Sequence, residues 1–333
     1  MNKGVETMSM NLDTEVLEEP KKSQFQIGTI LKKYNLFLIF IGFLIIGTLL
    51  SEHFLTFQNI LNILQQSAFV GIVAIGMTFV ILVGGIDLSV GAVLGLSGML
   101  VALLISSGVN PFIAIAITMA AGGFMGFVSG FISTKFKVPA FIATLAMMVS
   151  ARGFALLTTD GEPIYDLPPA FTALGESFGN ITIPAIIWIV LTIIAVVILK
   201  YTTFGRKLYA VGGNEESARL SGIAVEKYLT TTYILAGIMS AVAGILMASW
   251  LTVGQPTAGT GLELDAIAAV VIGGTSLTGG RGGIGGTFIG VLIMSMIVNI
   301  FNLLGLSSYY QSIFMGAIIV TALIMNQLIA NKK

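Results

Sequence analysis

Few residues in this sequence could do chemistry. The 333-residue chain has no Cys and a single His, His53. That excludes a disulfide framework, thiol chemistry, a histidine-based metal cluster and a His-dependent triad. Four ionisable residues come near apolar stretches: Asp87, Arg152, Glu263 and Asp265. Asp87 follows Gly84-Gly85-Ile86 and precedes Leu88-Ser89. An Asp at mid-membrane costs roughly 2.5–3.5 kcal/mol. Glycines beside it can open the backbone where it lines a cavity. Asp87 and Ser89 therefore belong to an inner gate, or Asp87 caps a helix by accepting N–H groups near Ser89 and Val90. Arg152 falls 14 residues after Val138, about 21 Å up its helix. It pairs with an acid such as Asp265, snorkels outward, or lines a substrate path.

Softer groups are more numerous. Gln65, Gln66, Asn299, Asn302, Tyr309, Tyr310 and Gln311 place amides and phenols in apolar surroundings. They suit a neutral polyhydroxyl solute, which needs donors and acceptors but no counter-charge. They equally suit interhelical hydrogen bonding. Two nucleotide-like strings carry little. Gly280-Arg281-Gly282-Gly283-Ile284-Gly285 matches GxGxxG, but apolar spans flank it and nothing acidic follows Asp265, as a dinucleotide site requires. No GxxxxGK[ST] occurs, so a triphosphate has no such cradle here. A tight turn between closely packed helices accounts better for these glycines.

The longest charged interruption is 200–227, where five Lys/Arg face Glu215, Glu216 and Glu226. It contains a short helix with its own end signals. Asn214 is a good N-cap. Glu215 and Glu216 suit the positive end of the helix dipole, and Arg219 the negative end. Gly222 can close the helix in a left-handed conformation. A capped helix of about two turns between two spans is a handle that another protein could push.

Composition sets the frame. The chain is 56% hydrophobic and 10% charged, against about 25% charged in soluble domains. The expected fold class is an all-α polytopic membrane protein. Zero net charge gives nucleic acid no electrostatic attraction. About 20 apolar residues cross a bilayer, and ten spans are expected: 35–51, 59–83, 88–107, 111–133, 138–158, 181–199, 228–250, 262–279, 284–304 and 308–327. Inner segments would then hold 15 of the 16 Lys/Arg, which places both termini in the cytoplasm. Residues 1–34 form a polar tail without a signal peptide and with little to bury. The transmembrane domain covers 35–327, with a short second tail at 328–333. Glycines at four-residue spacing (Gly122, Gly126 and Gly130; Gly91 and Gly95; Gly286 and Gly290) predict close helix contacts, as does the set Ala236, Ser240, Gly244 and Ala248. Segments 80–95 and 270–286 echo one another as apolar runs into Gly-Gly, a pattern of internal duplication. The outer loop 159–180 carries Asp160, Glu162, Asp166 and Glu176 without a basic residue. Together with Glu263 it offers an acidic face for an external basic partner, or is simply a solvated loop.

The string GMTFVILVGGIDLSVGAVLGLSG (76–98) resembles the hallmark of the sugar-type ABC importer permeases. So does GRKLYAVGGNEESARLSGI (205–223). FIATLAMM (141–148), GQPTAGTGLELDAIAAVVIGGTSLTGGRG (254–282) and NLLGLSSYYQ (302–311) are most similar to ribose-type members. The resemblance runs from about residue 35 to the C-terminus and leaves 1–34 uncovered. It implies a non-catalytic permease subunit in the bacterial inner membrane, importing a monosaccharide. Ribose stands ahead of xylose, arabinose, galactose or autoinducer-2. It also implies a second permease copy, an extracytoplasmic sugar-binding protein, and a cytoplasmic ATPase that binds the ATP and Mg²⁺. Gly213, Asn214, Glu215, Glu216, Ser217, Ala218, Arg219, Leu220, Ser221 and Gly222 match the family's coupling loop, which docks in the ATPase. The rival is an ion-coupled secondary transporter or a passive facilitator, in which this loop would be idle.

Overall fold

The computed structural model describes residues 27–330. The chain divides into Met1–Asn35 and Leu36–Lys333, and the fold is that of the second unit. In order, the helices are α1 (Ile27–Leu50), α2 (Phe57–Leu82), α3 (Val90–Ser106), α4 (Pro111–Lys135), α5 (Ala140–Leu157), α6 (Pro169–Thr172), α7 (Ile183–Tyr201), α8 (Thr203–Gly213), α9 (Glu215–Leu220), α10 (Val225–Leu251), α11 (Leu262–Ile272), α12 (Ile284–Leu303) and α13 (Ser308–Ala330). Local chemistry sets several starts. The Thr56 hydroxyl accepts from the Asn59 N–H, and Asn110 caps α4 ahead of Pro111, whose missing N–H costs nothing there. The first helix begins at Ile27, inside the expected tail. Residues 1–26 and 331–333 of the two expected tails lie outside the described residues.

Among the described residues, α2, α4, α5, α7, α10 and α12 are long and apolar enough to cross a membrane. The expected eighth span, 262–279, is not one. Its helix α11 has 11 residues, about 16 Å of rise against the ~30 Å of a hydrocarbon core. It starts where expected and ends early at Ile272, because Gly274 is left-handed and the Gly274 and Thr275 N–H groups close the helix on the Val271 and Val270 carbonyls. Residues 252–261 are non-helical, with left-handed backbone at Thr252, Gly259 and Gly261. They run beside α3 from Ala102 down to Gly91. A Cβ at Gly254 would stand 2.6 Å from Ala102, one at Gly95 2.7 Å from the Ala258 carbonyl, and one at Gly259 2.6 Å from the Gly91 carbonyl. Gly91 and Gly95, expected to seat a helix, seat this irregular backbone instead.

Helix α10 lies at the centre, against α2, α3 and α4. The α4 and α10 backbones touch through the expected stripe. A Cβ on Gly126 would overlap the Tyr233 carbonyl oxygen, and one on Gly122 would stand 2.6 Å from the Gly237 carbonyl. Without a hydrophobic drive between helices in lipid, such close packing is what holds a bundle. Polar pairs add to it. Asn59 and Asn299 exchange two amide hydrogen bonds, of 2.9 and 2.8 Å, between α2 and α12. Thr78 and Thr287 pair at 2.8 Å.

Gly126→Ala should lower the thermal midpoint of the detergent-solubilised protein, by about 1–3 kcal/mol of overpacking. Gly153→Ala on α5, where an added Cβ meets nothing within 4 Å, should leave it unchanged or higher. Equal midpoints for the two variants would mean that the α4–α10 crossing is looser than backbone contact.

Candidate functional site

The charged segment 200–227 forms two helices rather than one. The sequence reading missed α8 because two glycines end it and Gly205 interrupts its first turn. Its signals were local: the Thr202 hydroxyl accepts from the Gly205 N–H at 3.2 Å, and Leu208 and Val211 are spaced to bury together. The second helix, α9, has the expected ends. Asn214 Oδ1 accepts the Ser217 N–H at 2.7 Å. Gly222 is left-handed, and its N–H donates to the Arg219 carbonyl while that of Ile223 donates to Ala218. Arg219 bridges two elements, reaching Glu215 Oε1 at 2.9 Å and also Glu226 on α10. These hydrogen bonds, Glu226 first, raise the Arg219 guanidinium above its ordinary value. Both pairs are half exposed, so they orient α9 more than they stabilise the fold. Ala218 is buried while Leu220 is 81% exposed, an apolar side chain on the outward face of a charged helix.

Beneath α9 the chain meets itself with no side chain between. The Gly280 N–H donates to the Leu82 carbonyl at 2.9 Å. A Cβ on Gly212, at the end of α8, would overlap that same carbonyl oxygen and stand 2.6 Å from Gly280 N. Gly279 and Gly280 are both left-handed. Tyr209 Oη donates to the Gly282 carbonyl at 2.8 Å, and partial burial raises its phenol. The two glycine-rich turns that echo one another in sequence therefore touch, and α8 is seated on both. The GxGxxG string is this seat. One turn leads through Asp87 to α3; the other joins α11 to α12.

Asp87 is buried and accepts from the Ser89 N–H at 2.9 Å and the Ser89 hydroxyl at 2.6 Å. It is not the N-cap; Ser89 holds that position. Nor is it at the surface. The preceding carbonyl, of Ile86, accepts from Thr144, four residues into α5. Tyr233, eight residues into α10, places its hydroxyl over Gly85. These offsets put Asp87 about 6–12 Å inside the bundle's basic end. Arg152 does not pair with Asp265, and it does not snorkel. It donates to the carbonyls of Pro256 and Ala258, the latter at 3.0 Å, because the non-helical turns of 256–261 leave those oxygens facing α5. The Glu263 carboxylate lies where a Cβ on Gly91 would be. It is turned inward against α3 rather than offered on the outer loop. Asp265 is half-buried in the first turn of α11. Asp160 and Glu162 are exposed, on a loop tied to the non-helical segment 252–261 by the Ile164–Gly254 bridge. Of the amides, Asn299 is bonded to Asn59, and Gln311 donates to Asn302 at 2.8 Å.

Among the described residues, six helices long and apolar enough to cross a membrane mark a multi-pass membrane protein. The family model described as "Branched-chain amino acid transport system / permease component" matches residues 59–323, and the chain belongs to this family. It is 46% identical to the ribose import permease protein RbsC of Bacillus subtilis, over 95% of this chain and 99% of the relative. It is 44% identical to RbsC of Escherichia coli K12, over 93% and 96%. The D-allose transport system permease protein AlsC of Escherichia coli is 37% identical, over 96% and 100%. No solved structure matches.

Gly212→Ala should cut uptake in whole cells at least tenfold while the protein still inserts, since one methyl must force apart three backbone segments. Gly213→Ala, where a Cβ meets nothing within 4 Å, should transport normally. Equal uptake by the two would separate the junction from transport.

Proposed function

We propose that this chain is the permease subunit of an ABC importer for ribose in the bacterial inner membrane, both termini in the cytoplasm. The observation that carries the reading is 44–46% identity to ribose import permeases along nearly the whole chain. The chain itself performs no catalysis. A separate cytoplasmic ATPase binds ATP and Mg²⁺ and docks on α9, with Leu220 entering an apolar cleft and Glu216 and Ser221 at its rim. Closure of the ATPase moves α8, and the backbone seat at Gly212 passes that motion to the turns before α3 and after α11. These lead to the broken segment 252–261, and irregular backbone at membrane depth is where transporters hold their solutes. Asp87, Ser89, Arg152 and Asp265 flank that path. An extracytoplasmic sugar-binding protein meets Asp160 and Glu162, and a second copy of the chain completes the channel.

A second reading, another monosaccharide carried by the same machinery, is favoured by the 37% identity to the D-allose and L-arabinose permeases. ATP hydrolysis by the reconstituted permease and its ATPase separates the two. Ribose-loaded binding protein should stimulate it, and Arg219→Ala, which frees α9 from Glu226, should reduce stimulation severalfold. Stimulation by an allose- or arabinose-loaded protein alone would keep the class and discard ribose. Absence of any associating ATPase would remove the proposal.

A further inference from the structure

At the basic end of the bundle, an open groove of about 360 Å³ runs along the α4–α10 contact, where the Thr134 and Thr230 hydroxyls meet at 3.1 Å. Its inner wall is apolar: Phe127 and Phe131 on α4, Ile234 on α10. The two phenyl rings stack at 5.6 Å, and Phe136 meets Phe131 edge-on at 6.0 Å. Its mouth is cationic. Lys135 is the last residue of α4 and Lys227 the third of α10, and both line the cavity. Neither makes an ion pair among the described residues. The one acid at the mouth, Glu226, is already engaged by Arg219. The cavity thus presents uncompensated positive charge above an aromatic trough.

Position decides what fits. Helices α4 and α10 are long enough to span a membrane, so their ends lie at headgroup level and the phenyl rings lie a turn or more below. A ligand with an anionic head and an apolar tail, entering from the bilayer, would put each part against its complement. We propose that this cavity binds an anionic phospholipid. Its phosphate sits between Lys135 and Lys227, and an acyl chain lies along Phe127, Phe131 and Ile234. Basic clefts between spans bind acidic headgroups in this way. The proposal depends on the spans and not on the transported sugar. Because Glu226 shares the mouth with the lipid and holds Arg219, the site is in contact with the base of α9.

The test is native mass spectrometry of the full-length protein released from nanodiscs holding equal phosphatidylglycerol and phosphatidylcholine. Wild type should retain phosphatidylglycerol preferentially. Lys135→Gln with Lys227→Gln should reduce that preference about 25-fold, taking roughly fivefold per lysine. Thr231→Trp, which fills the trough and keeps both charges, should also reduce retention. Lys200→Gln, outside the cavity, should retain lipid as wild type does. Equal retention of the two lipids by wild type, or an unchanged preference in the double variant, overturns the proposal. So does full displacement of the lipid by millimolar inorganic phosphate, which would make the site one for a free anion. A change of oligomeric state in Thr231→Trp with lipid retention intact would assign the groove to a second copy instead.

Discussion

The structure depends on one place where three backbone segments touch. The end of α8, the end of α2 and the turn before α12 meet at Gly212, Leu82 and Gly280, with a hydrogen bond of 2.9 Å and no side chain between. Side-chain contacts can slide or change rotamer under load. Here there is no side chain to change rotamer: the Gly212 and Gly280 backbones lie directly on the Leu82 carbonyl. The coupling proposed for α9 needs that kind of seat. Here the seat also closes a loop in the topology, because each turn it grips leads to a broken region of the membrane domain.

Those broken regions obey a second constraint, that polar backbone cannot be left bare in hydrocarbon. The segment 252–261 meets it by lying against α3 and by lending the carbonyls of Pro256 and Ala258 to Arg152. The arginine is in turn tolerated at depth because those oxygens and the neighbouring Glu263 replace its water. Asp87 follows the same logic with Ser89. The charged groups that looked like substrate contacts in the sequence are first of all the means by which irregular backbone survives in the bundle.

Much of this was legible in the residues. The caps of α9 were readable because each end signal is local: Asn214 bonds three residues ahead, and Gly222 sits where a left-handed residue is needed. The glycine stripe on α4 was readable because four-residue spacing marks one helix face. Three things were hidden. The shortness of α11 was masked because the helix runs directly into 273–279, whose glycines and small polar residues read equally as the polar end of a span. The partner of Arg152 was a pair of main-chain carbonyls, which no residue letter reveals. Helix α8 was obscured by Gly205, Gly212 and Gly213, residues that usually end helices. Gly212 is glycine because of what lies beside it, 130 residues away in sequence at Leu82, and composition carries no trace of that.

The most direct test approaches this seat from its other side. Gly280 is left-handed, and a Cβ there would stand 2.8 Å from the Gly213 Cα and 2.9 Å from its N. Gly280→Ala should reach the membrane in wild-type amount and lose sugar uptake severalfold, because the added methyl parts α8 from the turn before α12. Wild-type uptake by Gly280→Ala would contradict the account, since transport would then not need the two backbones in contact.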